Sequence, residues 1–98
     1  MIIRIVKLHF QADKVEEFLK IFEASKQKIR AFEGCQRLEL LQEAENPSCF
    51  MTYSWWNSTA DLEMYRHSEL FKSTWAKTKV LFSDRPLAWS MNQIEKLA

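Results

Sequence analysis

Glycine is nearly missing from this chain of 98 residues: there is one, alongside two prolines. A single glycine rules out a glycine-rich phosphate loop. So few breakers also leave no linker and no low-complexity tract. An excess of one charge is missing as well. Lys and Arg number 14 against 13 for Asp and Glu, a formal net charge of +1. No broad field therefore draws the chain to DNA, RNA or an anionic membrane surface. No apolar run approaches the ~20 residues of a membrane-spanning helix. The opening Met1-Ile2-Ile3-Arg4-Ile5-Val6 is too short for the apolar region of a secretory signal and has no small-residue cleavage site. A cytoplasmic location is expected.

Chemistry-bearing side chains are also few. The two cysteines, Cys35 and Cys49, have neither Cys-x-x-Cys spacing nor a nearby histidine, so no metal site is expected. Ser25, Ser54 and Ser68 have no Gly-x-Ser-x-Gly context, and no His–Asp arrangement supports hydrolysis. The carboxylates are spread over helix surfaces and read as solvation. Histidine occurs only as His9 and His67.

What is present is apolar and aromatic: 47% of residues are hydrophobic and 13% aromatic. The length fits one domain, 1–98, and such a chain buries only about two-thirds of its unfolded surface. Four tryptophans and seven phenylalanines exceed what a small monomeric core needs. Part of that area is expected to meet a second chain or a small ligand.

Residues 2–10 alternate, with Val6, Leu8 and Phe10 against Lys7 and His9, and read as a strand. Asp13 and Glu16 resemble a capping box. Val15, Phe18, Leu19, Phe22, Ile29 and Phe32 recur at helical spacing, which predicts a helix over 13–32. Gly34 follows it, where a left-handed residue is tolerated. Residues 35–43 and 48–56 read as two strands around the turn Ala44-Glu45-Asn46-Pro47. That closure sets Glu43 against Ser48, Gln42 against Cys49 and Cys35 against Trp56. The two thiols then lie ~20 Å apart at ~3.3 Å per residue, beyond disulfide reach. Both are expected as free, small buried hydrophobes, in keeping with a reducing compartment.

Ser58 and Asp61 start a short helix to about residue 67 or 68. Phe71, Trp75, Thr78 and Phe82 predict a further helical stretch over 69–82, broken by Ser83-Asp84-Arg85-Pro86. Residues 87–93 form a last strand. The order β-α-β-β-α-β is the split βαβ unit, an α+β ferredoxin-like fold with an antiparallel sheet.

Two helices cover only one face of such a sheet. Parity places Leu38, Leu40, Met51, Tyr53 and Trp55 on one face of the hairpin. Cys35, Leu41 and Phe50 fall on the other, among Arg37, Glu39, Thr52 and Ser54. In the first strand Ile3 and Ile5 oppose Val6, Leu8 and Phe10. A bare face with Ile3, Ile5, Leu41 and Phe50 is expected to be covered by a second copy, giving a homodimer. His9 shares the parity of Ile3 and Ile5 and is expected on the dimer side or at the strand end.

With that order in place, two segments resemble the antibiotic biosynthesis monooxygenase family. One is Phe32-Glu33-Gly34-Cys35, leading into a strand after the long helix. The other runs from Tyr53 to Lys72, where a strand ends in Trp55-Trp56, a short helix follows, and Ser68 to Phe71 form a Ser-x-x-Phe element that starts the next helix. The resemblance covers essentially the whole chain. It implies a dimeric α/β barrel in which each subunit keeps a pocket between sheet and helices. It also implies oxidation of a small quinol or phenolic aromatic by O2 with no added cofactor. Other members of the family bind and degrade haem. Here Trp75 occupies the position of their axial histidine, and no histidine follows His67, so haem is not expected.

The pocket is expected to be lined by Trp56, Tyr65, Phe71 and Trp75, with Phe71 and Trp75 one turn apart on the same helix side. A packing role for these four rings is an equal expectation. Strict alternation sends Trp56 to the dimer face, so its place in the pocket needs a bulge, and Trp55 is the alternative. His67 is the candidate base for deprotonating a phenol, with Tyr65 or Arg66 orienting the oxygen; a surface or helix-capping histidine is the plainer reading. Many family members carry a histidine where this chain has Tyr65. A non-enzymatic module that binds a small aromatic metabolite would use the same pocket.

Overall fold

The computed structural model describes residues 1–98. β1 (Ile2–His9) leads through a 3-10 turn at Ala12–Lys14 into α1 (Val15–Arg30). β2 (Cys35–Glu43) and β3 (Asn46–Trp56) form a hairpin, and α2 (Thr59–Arg66) and α3 (Glu69–Lys79) precede β4 (Leu87–Asn92). All strand pairs are antiparallel, in the order β2-β3-β1-β4. This is the expected α+β, ferredoxin-like arrangement, with its second helical segment divided in two.

The helix ends show which local signals act. Asp13 lies in the 3-10 turn and α1 begins only at Val15, with no side chain capping it. The Asp13–Glu16 pair therefore does not cap the helix; Glu16 and Glu17 instead sit in its first turn, near the positive end of its dipole. The two serine signals do cap. Ser58 Oγ accepts the Asp61 N–H at 3.1 Å. Ser68 Oγ accepts the Phe71 N–H at 3.1 Å and donates to the Tyr65 carbonyl at 2.6 Å. One hydroxyl thus closes α2 and opens α3. α3 stops at Lys79, so Phe82 is not helical; it forms an isolated bridge with Phe10.

Gly34 has φ 87°, in the left-handed region. A methyl group there would lie 2.5 Å from the Asp61 Cβ. Glycine therefore serves both the backbone turn and the close seating of α2 on the start of β2.

The hairpin departs from the expected register. The turn is Ala44-Glu45, β3 begins at Asn46, and Glu43 pairs with Asn46 rather than Ser48. An irregularity between Gln42 and Glu43 then sets Gln42 against Phe50 rather than Cys49, while a second, between Cys35 and Arg37, returns Cys35 to Trp56. A one-residue slip exchanges the faces. Phe50, Thr52, Ser54 and Trp56 consequently lie on the helix side with Val6, Leu8, Leu38 and Leu40. Phe50 belongs to the core, 3% exposed, and not to the bare face. Met51, Tyr53 and Trp55 move to the bare face.

Under the helices, Leu8, Phe10, Phe18, Phe50 and Leu81 form the main core, with Phe10 stacked on Phe18 at 4.2 Å. A smaller cluster holds Cys35, Trp56 and Leu62, with Ile2, Phe32 and Tyr65 against it. Both cysteines are free and buried. The opposite face carries Ile3, Ile5, Tyr53 and Trp55, half-buried, and the exposed Leu41, Trp89 and Met91. Arg37 covers the Trp55 ring at 4.9 Å. His9 is on this face beside Cys49, 3.8 Å between Nε2 and Sγ. No helix of the chain is long and apolar enough to cross a membrane.

Candidate functional site

A cavity of about 370 Å³ lies between the helix side of the sheet and the helices. Its floor is built by alternation. On β1 Arg4 and Val6 point into it, and on β3, the other inner strand of the sheet, Thr52 and Ser54 do so. These two small polar residues leave space where large ones would have filled the core. Ala88 on β4 continues the floor, and β4 is exposed along its whole length.

The roof is aromatic. Tyr65 from α2 and Phe71 and Trp75 from α3 all line the cavity. Tyr65 meets Phe71 edge-on at 5.3 Å, and Phe71 lies parallel to Trp75 at 5.9 Å. The row continues in both directions. Trp56 stacks on Tyr65 at 5.0 Å, and Trp75 meets Phe82 at 5.6 Å. Each ring is held by its neighbour, so the wall is preorganised for a flat ligand.

The sequence-derived candidates divide between cavity, core and surface. Tyr65, Arg66, Phe71 and Trp75 are brought together around the cavity. Trp56 is on the helix side with no bulge of β3 at that end of the strand, but it is fully buried behind Tyr65 and donates its indole N–H to Ser54 Oγ at 2.9 Å. It supports the wall rather than lining it. Trp55, the alternative, faces away. His67 lies outside the cavity, with a side chain 77% exposed. It occupies the C-terminal cap of α2, and its Nε2 lies 3.5 Å from Glu63 Oε2.

Arg4 is the residue that reading the sequence for motifs missed. The signal was its parity: it alternates with Val6, Leu8 and Phe10, all on the helix side. Its guanidinium donates to Ser90 Oγ at 3.0 Å. Burial, and then the nearby Arg66 charge, draw its pKa below the ordinary range, against an opposing effect of Glu63. Arg66 itself is paired with Glu63 at 2.9 Å. Arg4 and Arg66 are the only charged residues lining the cavity, which has no carboxylate and no histidine. Burial, and after it Cys35, pushes the Tyr65 phenol far above its ordinary pKa, so it is a hydrogen-bond donor and not a base.

A second depression, of about 330 Å³, runs between α1 and α3; it is polar and lined by Lys20, Lys28 and Lys77 among others. It has no aromatic wall, and the sheet–helix cavity is the better candidate.

The family model described as antibiotic biosynthesis monooxygenase matches residues 1–77. A crystal structure of an antibiotic biosynthesis monooxygenase superposes with a TM-score of 0.90 at 16% identity, covering 97% of this chain and 100% of that one. A conserved protein from Methanosarcina mazei Go1 gives 0.89 at 22% identity, covering 95% and 93%. A protein from Mycobacterium tuberculosis gives 0.90 at 15% identity, covering 99% and 98%. At these identities the likeness is one of fold. No protein of curated function matches the chain.

Proposed function

The chain belongs to the antibiotic biosynthesis monooxygenase family, and from that premise we propose that its cavity holds a small quinol or phenolic aromatic for oxidation by O2 without a bound cofactor. The observation that carries this reading is the wall of Tyr65, Phe71 and Trp75 over a cavity of about 370 Å³. The rings stack on the ligand, while Arg66 and the protonated Tyr65 phenol orient its oxygen. A cavity with two guanidinium groups and no carboxylate favours the ionised form of a bound phenol. That electron-rich anion is the species that reacts with O2. In this reading the cationic lining carries the deprotonation, with the proton leaving to solvent, and His67 stays outside the chemistry.

The electron count closes without a further reductant. A phenol with an open para carbon gives up four electrons to one O2; one oxygen atom becomes the new quinone oxygen, and the other leaves as water. Oxygen uptake with a panel of reduced quinones and hydroxyaromatics tests the reading. Uptake matched by quinone formation is expected, and Trp75→Ala should raise KM about tenfold. A panel that is neither bound nor oxidised overturns it. Ligand quenching of tryptophan emission with no uptake selects a binding module instead, a reading favoured by the lack of a histidine or carboxylate in the lining.

The working unit in this reading is a homodimer. The face with Ile3, Ile5, Leu41, Tyr53, Trp55 and Met91 has no helix over it, and two-fold pairing of that face covers it with itself. The free thiols suit the reducing cytoplasm.

A further inference from the structure

We propose that the ligand of this cavity is a hydroxyaryl carboxylate, whose carboxylate is held by Arg4. This rests on the cavity being the ligand site and adds the substrate class. Arg4 sits on the inner strand β1, between Ser54 on β3 and Ser90 on β4. Its side chain enters the cavity half-buried, yet no carboxylate lies within ion-pair distance of it. The other cavity arginine, Arg66, has Glu63. Arg37 has Glu39, and Arg30 donates to the Cys35 carbonyl at 2.7 Å. Arg4 has one serine hydroxyl for a fork of five N–H donors.

A partly desolvated cation with one neutral partner is unfavourable for folding alone, and an apolar residue would fill this position better. The arrangement is favourable once an anion enters. A planar carboxylate accepts two parallel hydrogen bonds from a guanidinium. The lining offers no competing carboxylate. The ring plane of such a ligand then lies along the wall formed by Phe71 and Trp75. Its hydroxyl lies toward Arg66 and Tyr65, further polar groups of that lining.

Three ligands built on one hydroxynaphthalene ring test this by tryptophan quenching on the purified protein: 1-hydroxy-2-naphthoate, its methyl ester, and 1-naphthol. The free acid is expected to bind about tenfold tighter than the ester or the naphthol, the effect of one charge-assisted bidentate contact. Arg4→Gln should abolish that preference, and Arg4→Lys should restore part of it. Equal affinity for acid and ester in the unmodified protein overturns the carboxylate assignment while the cavity reading stands; this comparison needs no variant to fold. Failure of all three to bind removes the ligand site itself. A naphthyl phosphate that binds tighter than the naphthoate also overturns the assignment, in favour of a phosphate ester.

Discussion

A single methyl group separates Gly34 from a clash with Asp61. Gly34→Ala combines a left-handed backbone angle of 87° with a contact at 2.5 Å. It is expected to lower stability by about 2–3 kcal/mol, read from urea midpoints. Tyr65 gives a pH signature. Its folded pKa lies above the unfolded value of about 10 because burial penalises the phenolate. The stability it brings is whole below pH 10 and is lost as pH rises through the folded pKa. Unfolding midpoints should fall above pH 10, and Tyr65→Phe should flatten that alkaline limb. At His67 the prediction follows the plainer of the two sequence readings, a surface histidine at a helix end. His67→Ala should leave oxygen uptake within about twofold of the parent, because a base must reach the proton it takes, and this ring is held at the surface beside Glu63. A loss of a hundredfold would return the base to His67.

At the scale of elements, Ser68 holds the junction of α2 and α3, and with it the angle between Tyr65 and Phe71. Ser68→Ala removes the hydroxyl from two hydrogen bonds and should cost about 1 kcal/mol, measured by thermal unfolding. The elements were legible because their signals are local: alternation in β1, helical spacing in α1 and α3, serines at two helix starts. The hairpin register was not. Asn46-Pro47 has turn chemistry, yet the chain turns at Ala44-Glu45 and takes Pro47 into β3, where Gln42 Nε2 donates to its carbonyl at 2.9 Å. Local preference could not reveal a slip set by packing Phe50 against Phe10 and Phe18. That slip decided which tryptophan faced inward. Of the site, the aromatic roof was readable from helix periodicity. Arg4 was not, because an arginine in a strand reads as solvated until its parity is followed across the sheet.

For the whole molecule, the uncovered sheet face sets the expectation. Light scattering at micromolar concentration should give twice the mass of one chain, and Ile5→Glu with Trp55→Glu should give a monomer that keeps its far-UV spectrum. A native protein of single-chain mass would end the proposal of two-fold pairing.

β3 is hydrogen-bonded on both edges, so neither neighbour frees it to rotate, and its two sets of alternate side chains serve different surfaces. Diversifying positions 52 and 54 should retune what the protein accepts as guest while self-association stays as it was. Changes at 53 and 55 should do the reverse. One strand thus offers evolution two independent dials.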